Sequence, residues 1–343
     1  MKARFHKHTL QFKHPSGTSR GVLTDKDTYF LILEKDQKQG IGECGVLKGL
    51  SPDPLATYES VLQTLCDQLE ADTFSADLLE AYPSIQTGLE MAQQSLRAQN
   101  PFLLYPSAFS QDNAPIAING LIWMGDFNFM QSQIEMQLEK GFDCLKMKIG
   151  AIDFKKELAL LEKIRTHFSP EQIELRVDAN GAFSPDTALD KLQQLAAFEL
   201  HSIEQPIAVG QWDLLKTLCQ KTPLDIALDE ELIGITDRAK KKKLLDTVAP
   251  QYIILKPSLI GGFQAAEEWI SLAEERGIGW WVTSALESNV GLNAIAQWTA
   301  TLNTSMPQGL GTGSLYTNNI PSPLMVKNGY LVHDNQTPWA FNF

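Results

Sequence analysis

The sequence predicts an α/β protein, a TIM-like (β/α) barrel with an α+β domain ahead of it. Two observations carry that expectation. From about residue 115 one unit recurs: a short apolar strand, a loop and an amphipathic helix. Successive strands lie roughly 25 to 30 residues apart, the spacing that a parallel crossover needs. Ahead of that repeat, strands come first and helices second, the order of an α+β domain. A chain of 343 residues accommodates a barrel with such an addition. The expected division is 1–114 for the first domain, 115–313 for the barrel, and 314–343 for a tail that returns to the first domain.

In the first domain, residues 4–12, 28–34 and 40–47 read as strands with polar turns between them. The turn-rich run "HPSGTSRGVLTDKDT" joins the first two. Helical patterns follow at 55–67 and 84–99, the second starting after Pro83 and stopping before Pro101. The barrel strands are "APIAING", "CLKMKIG", "ELRVDAN", "LHSIEQP", "LDIALDE", "YIILKPS", "WWVTSA" and a weaker one near "MPQGLGT". Helices are expected at 154–168, 184–195, 212–221, 236–245, 262–276 and 290–302. The strands are nearly continuous apolar runs, as suits strands buried on both faces. A doubly wound sheet would want a glycine-rich phosphate turn after its first strand, and "INGLIWMG" does not supply one. The tail offers one hairpin-like segment, "LMVKNGYLVH".

Composition narrows the function. A net charge of −12 disfavours nucleic acid and anionic membrane surfaces as partners, but not a small anionic substrate held by lysines and a metal. Cys44, Cys66, Cys144 and Cys219 form no C-x-x-C pair, so they signal neither zinc nor a disulfide framework. No apolar run reaches the length of a membrane span, and the first residues lack a signal peptide's apolar stretch, so a cytoplasmic location is expected. The basic run 240–243 reads as the exposed face of one barrel helix.

In a barrel, the C-terminal ends of the strands face one pocket. Read in order, those ends give Lys146 and Lys148, then Asp178 and Asn180, then Glu204, then Asp229 and Glu230, then Lys256. Alone, an aspartate at a strand end is ordinarily a cap or a turn residue. One acidic group from each of three successive strands is a different matter. Oxygen ligands converging from rigid elements are what a hard divalent cation takes, and the lack of histidine and cysteine favours Mg²⁺ or Mn²⁺ over zinc. Two lysines within a central strand are costly unless anions compensate them. A lysine whose pKa is lowered by neighbouring positive charge can remove a proton next to a metal-bound carboxylate. That chemistry is the one described for lysine bases in enolase-type sites.

The motifs "KMK", "DAN", "IEQP", "LDE" and "LKP" resemble the muconate-lactonizing subgroup of the enolase superfamily over nearly the whole chain. Within it, "VDANGAFS", "ILKPSLIGG", "SALESNVGLNAIAQWTA" and "GLGTG" are most similar to the o-succinylbenzoate synthase family. The resemblance implies a modified (β/α)7β barrel with an N-terminal capping domain completed by the tail. It implies a Mg²⁺-dependent carbon–oxygen lyase of menaquinone biosynthesis, dehydrating 2-succinyl-6-hydroxy-2,4-cyclohexadiene-1-carboxylate. Asp178, Glu204 and Asp229 would hold the metal. Lys148 would be the base and then the acid, Lys256 would steady the ene-diolate from the opposite face, and Lys146 would assist Lys148. Asn180 and Glu230 would support these groups, and Arg20, Ser284, Gly311 and Thr312 would contact substrate.

Relatives with the same metal and lysines include N-succinylamino acid racemases and dipeptide epimerases. The epimerases commonly carry an Asp-x-Asp pair near the eighth strand, where this chain has "GLGTGSLY". A mandelate-racemase-like enzyme would need a histidine base, and His6, His8, His14, His167, His201 and His333 are not at the corresponding strand ends. A barrel that binds a ligand without catalysis is the alternative of another class. Oligomeric state is open.

Overall fold

The computed structural model describes residues 1–18, 21–302 and 304–343. The N-terminal unit is a three-stranded antiparallel sheet, β1 (Lys2–Thr18), β2 (Gly21–Lys35) and β3 (Lys38–Cys44), in that order. Two helices, α1 (Tyr58–Ala71) and α2 (Pro83–Arg97), cover one face. Tyr29, Leu31 and Leu33 of β2 pack there against Leu62, Leu65, Ile85 and Leu89. The alternate residue Phe30 faces the other way, with Ile41, against Val290, Ile320 and the tail aromatics Phe341 and Phe343. A strand covered on both sides explains the unbroken apolar run from Tyr29 to Leu33. Gly42 and Gly88 allow sheet and helix to touch backbone to backbone: a Cβ on Gly42 would lie 1.9 Å from the Gly88 carbonyl oxygen.

The turn-rich run between the first two strands is a correction. Apart from a register shift between Gln11 and Ser16, β1 and β2 stay paired out to Gly17 with Val22 and Thr18 with Gly21. This end of the hairpin buries little, so backbone pairing sustains it and no apolar alternation marks it in the sequence.

After α3 (Ala108–Gln111) the first expected barrel strand divides in two. β4 (Ile116–Ala117) pairs antiparallel with the tail, while β5 (Gly120–Ile122) opens the parallel sheet. The strands that follow are β6 (Cys144–Lys148), β7 (Glu174–Asp178), β8 (Ser202–Glu204), β9 (Ile226–Leu228), β10 (Tyr252–Leu255) and β11 (Gly279–Val282). Among the described residues these run in unbroken neighbour order from β5 to β11. The weak eighth strand is a single parallel step: Gln308 bridges Ile118 on one side, and Gly309 bridges Thr283 on the other. Those bridges close the ring.

The helices are α4 (Phe127–Glu139), α5 (Phe154–His167), α6 (Pro185–Ala196), α7 (Trp212–Lys221), α8 (Arg238–Val248), α9 (Pro257–Ile260), α10 (Phe263–Glu274) and α11 (Asn289–Thr301). Helix α4 is additional to the sequence expectation. Its start is set by Asp126, whose carboxylate accepts from the Phe129 N–H at 2.9 Å. The basic run on α8 is not wholly an exposed face. Lys241 is buried, bonded to Glu268 at 2.7 Å and lying over the Trp269 ring.

The tail forms a hairpin, β12 (Leu324–Lys327) and β13 (Tyr330–His333), which stays beside β4. The tail meets the N-terminal sheet on either side of this hairpin: before it, Tyr316 bridges Phe12 and Asn318 Nδ2 donates to Thr9 O at 2.8 Å, and after it the last residues return to the sheet. Trp339 stacks on Phe102 with ring centroids 4.2 Å apart, and Phe343 stacks on Phe30 at 5.3 Å.

Candidate active site

Parallel register sets the site. Lys148, Asp178 and Glu204 are level on β6, β7 and β8, so their side chains emerge at one height on the inner wall. Asp229 follows β9 directly and Lys256 follows β10. Carboxylate oxygens of Asp178, Glu204 and Asp229 lie within 4.8 Å of one another, and all three side chains are buried. The lysines flank them. Lys146 Nζ contacts Asp178 at 3.1 Å and also Glu204, Lys148 Nζ reaches Asp178 at 3.0 Å, and Lys256 Nζ contacts Asp229. Because β7, β8 and β9 separate β6 from β10, Lys148 and Lys256 approach the acidic floor from different sides.

Around this centre the polar groups are tied together. Lys148 Nζ donates to Asn180 Oδ1 at 2.8 Å, and Asn180 Nδ2 donates to Glu230 Oε1 at 2.9 Å. Asn180 and Gln205 both have positive φ, 44° and 35°, conformations that need outside support in a non-glycine residue. Gln205 has that support: its amide nitrogen donates to Ile207 O at 3.0 Å and to Glu231 at 3.2 Å, while its oxygen accepts from Glu231 N at 3.3 Å. It thereby fixes the end of β8 against the end of β9.

The electrostatics are those of a crowded anionic site. Burial alone would raise the Asp178 carboxyl, but Lys146, Lys148 and Lys256 hold it well below the usual range. Glu204 is pushed up to about 7 by burial, with Lys146 opposing and the Asp178 and Asp229 carboxylates adding to the rise. Burial lowers Lys146 and Lys256, yet the facing carboxylates outweigh it and both stay firmly cationic. Glu204 Oε1 is buried without a hydrogen-bond partner among the described residues. An unpartnered carboxylate oxygen at the meeting point of three acids fits a hard divalent cation.

Above the acidic floor opens a cavity of about 1050 Å³. A model of the family described as enolase C-terminal domain-like matches residues 130–337. An o-succinylbenzoate synthase from Desulfotalea psychrophila is 48% identical, aligned over 96% of this chain and 98% of its own. The chain belongs to the o-succinylbenzoate synthase family of the enolase superfamily. The crystal structure of MenC from the same organism matches with a TM-score of 0.86 and 46% identity, covering 97% of this chain and 99% of that one. An N-succinyl Arg/Lys racemase from Bacillus cereus matches with a TM-score of 0.81 at 19% identity, over 97% of this chain and 92% of that one. That likeness is one of fold.

Ser284, Gly311 and Thr312, which the family likeness puts against substrate, line this family member's cavity, and the Ser284 and Thr312 hydroxyls lie 2.6 Å apart. Arg20 lies outside the described residues. Among the lining residues not foreseen, Asn119 Oδ1 and Thr283 Oγ1 are buried without partners among the described residues, at the ends of β5's approach and of β11. Their only signal in the sequence is a polar residue closing an apolar strand. The segment Gly309, Gly311 and Thr312 presents no carboxylate to the cavity, and among the described residues His14 is the one histidine on its lining.

Proposed function

We propose that this enzyme is an o-succinylbenzoate synthase, a magnesium-dependent lyase of menaquinone biosynthesis acting in the cytoplasm. It would dehydrate 2-succinyl-6-hydroxy-2,4-cyclohexadiene-1-carboxylate. The observation that carries the reading is the 48% identity over nearly the full length of both chains. It joins a buried acidic triad flanked by lysines on separate strands. Among the described residues no helix is long and apolar enough to cross a membrane.

Asp178, Glu204 and Asp229 would hold Mg²⁺, with Mn²⁺ a workable substitute. When bound, the cation supplies the positive charge that acidifies the proton α to the substrate carboxylate. Lys148, aimed by Asn180, takes that proton in its neutral form, and the electron pair passes into the carboxylate as an ene-diolate. The resulting Lys148 ammonium then gives its proton to the departing hydroxyl. Water leaves, and the ring becomes aromatic. Lys256 lends its charge to the ene-diolate from the other side, and Lys146 keeps positive charge beside Lys148.

The test is direct. Purified protein with Mg²⁺ and the cyclohexadiene should produce an aromatic ultraviolet spectrum; no turnover above background would sink the assignment. N-succinylamino acid racemization is the second reading, favoured by the lysine on each side of the triad. Deuterium exchange at the α-carbon of N-succinylamino acids separates the two, since rapid exchange with poor dehydration would mark a racemase.

A further inference from the structure

A second buried charge cluster lies outside the metal triad, where the N-terminal unit meets the barrel. Lys26 of β2 and Glu43 of β3 come from the sheet, and Glu287 from the turn after β11. All three are buried, at 5%, 0% and 0% exposure. Glu43 spans the boundary. Its carboxylate accepts from Ser288 N at 2.8 Å and Gly291 N at 2.8 Å, so a residue of the sheet caps α11 of the barrel. Glu287 ties two strand ends together, accepting from Ala285 N at 2.7 Å and from Ser258 Oγ at 2.6 Å. Ser258 is two residues beyond Lys256. Ala285 adjoins Ser284, and both line the cavity.

Lys26 Nζ has no hydrogen-bond partner among the described residues, so it acts through its charge. Burial lowers its pKa while Glu43 and Glu287 oppose that, and Glu287, raised by burial, is in turn lowered by Lys26. The cluster is tight: a Cβ on Gly45 would lie 3.0 Å from Glu287 Cγ and 3.7 Å from Lys26 Nζ. The turn it holds is strained. Leu286, on the cavity wall, has φ 61°, and its carbonyl is fixed by the Tyr316 hydroxyl at 2.6 Å.

We propose that Lys26, Glu43 and Glu287 are positioning residues, which convert docking of the N-terminal unit into the placement of Lys256 and the 283–286 turn against substrate. None of them touches the cavity; they act through Ser258, Ala285 and Ser288. Two buried carboxylates side by side need the Lys26 charge, and without it the turn and the end of β10 lose their common anchor. The catalytic consequence rests on the synthase reading, whereas the mechanical one does not.

The experiment compares Glu287→Gln, Lys26→Met and Ser258→Ala with the parent protein. At a temperature where each is folded by circular dichroism, Glu287→Gln and Lys26→Met should lower kcat/KM at least tenfold, with kcat falling more than KM rises. Mg²⁺ affinity by calorimetry should stay within about threefold. Hydrogen exchange of the 283–288 amides should quicken in both. A purely structural role would lower the thermal midpoint and leave turnover per folded molecule and local exchange unchanged, and that result overturns the proposal. If Glu287→Gln does not fold, Ser258→Ala, which breaks only the link to Lys256, decides by the same two readouts. Lack of turnover by the parent protein would sink the synthase reading alone, because the exchange measurement needs no substrate.

Discussion

Lys148 is the side chain whose loss should separate catalysis from metal binding under the proposed function. It contacts Asp178 and Asn180 but contributes no oxygen to the acidic triad. Lys148→Ala should therefore lower turnover by roughly 10²- to 10⁴-fold, the usual worth of a general base, while Mg²⁺ affinity by calorimetry changes little. A variant retaining parental turnover would remove Lys148 from the role. The charged residues of this site can be read from the sequence because an ionised group in an apolar strand has no inexpensive structural explanation. Asn119, Thr283 and Gln205 cannot. A neutral polar residue at a strand end is what any turn requires, and the buried oxygens of Asn119 and Thr283 acquire meaning only when the strands close around the cavity. The same holds for Lys26, which in sequence sits in the turn-rich run 14–28, and for Glu43, which sits in an ordinary strand position.

At the scale of the element, α2 carries a pH-dependent anchor. Asp53 is buried, and its Oδ1 accepts from the Ser84 backbone N–H at 3.1 Å and from the Ser84 hydroxyl at 2.6 Å in the helix's first turn. Burial pushes its carboxyl up to about 6 against those hydrogen bonds. The unfolded chain releases this proton near pH 4, so between about pH 4 and 6 the folded state binds it more tightly. Stability from this group is thus complete below about pH 4 and declines as pH rises through 6, by at most about 3 kcal/mol. Asp53→Asn keeps an acceptor for Ser84 and cannot ionise. Urea unfolding should find it as stable as the parent at pH 8, or more so, and less stable only at low pH. A loss larger at pH 8 than at pH 4.5 would contradict this. Strands and helices with an apolar face were legible in the chain, including all six parallel strands from β6 to β11. The end of the β1–β2 hairpin was not, because it buries little and leaves no periodic trace, and neither was the burial of Lys241, which depends on Glu268 and Trp269 of a neighbouring helix.

For the whole molecule, the metal site and the fold should share one stability. The ring closes on a bridge of just Gln308 and Gly309, too short to give a strand pattern, so closure was faint in the sequence although the repeat that demands it was plain. Closure brings the Asp178, Glu204 and Asp229 carboxylates together from three strands, where burial pushes Glu204 up to about 7 and the two neighbouring carboxylates add to the rise. The unfolded chain scatters those residues and offers a cation no such site. A divalent ion that binds only the folded state stabilises it by about 2.7 kcal/mol at a concentration one hundred times Kd. The thermal midpoint should therefore climb by several degrees with rising Mg²⁺ and return on chelation with EDTA, in parallel with activity. Asp229→Asn should blunt the climb, because one ligand is gone and Lys256 loses its partner. Ca²⁺ should also raise the midpoint without restoring full turnover, since it takes oxygen ligands at longer and looser distances. A midpoint unmoved by millimolar Mg²⁺ in the parent protein would remove the triad as the metal site.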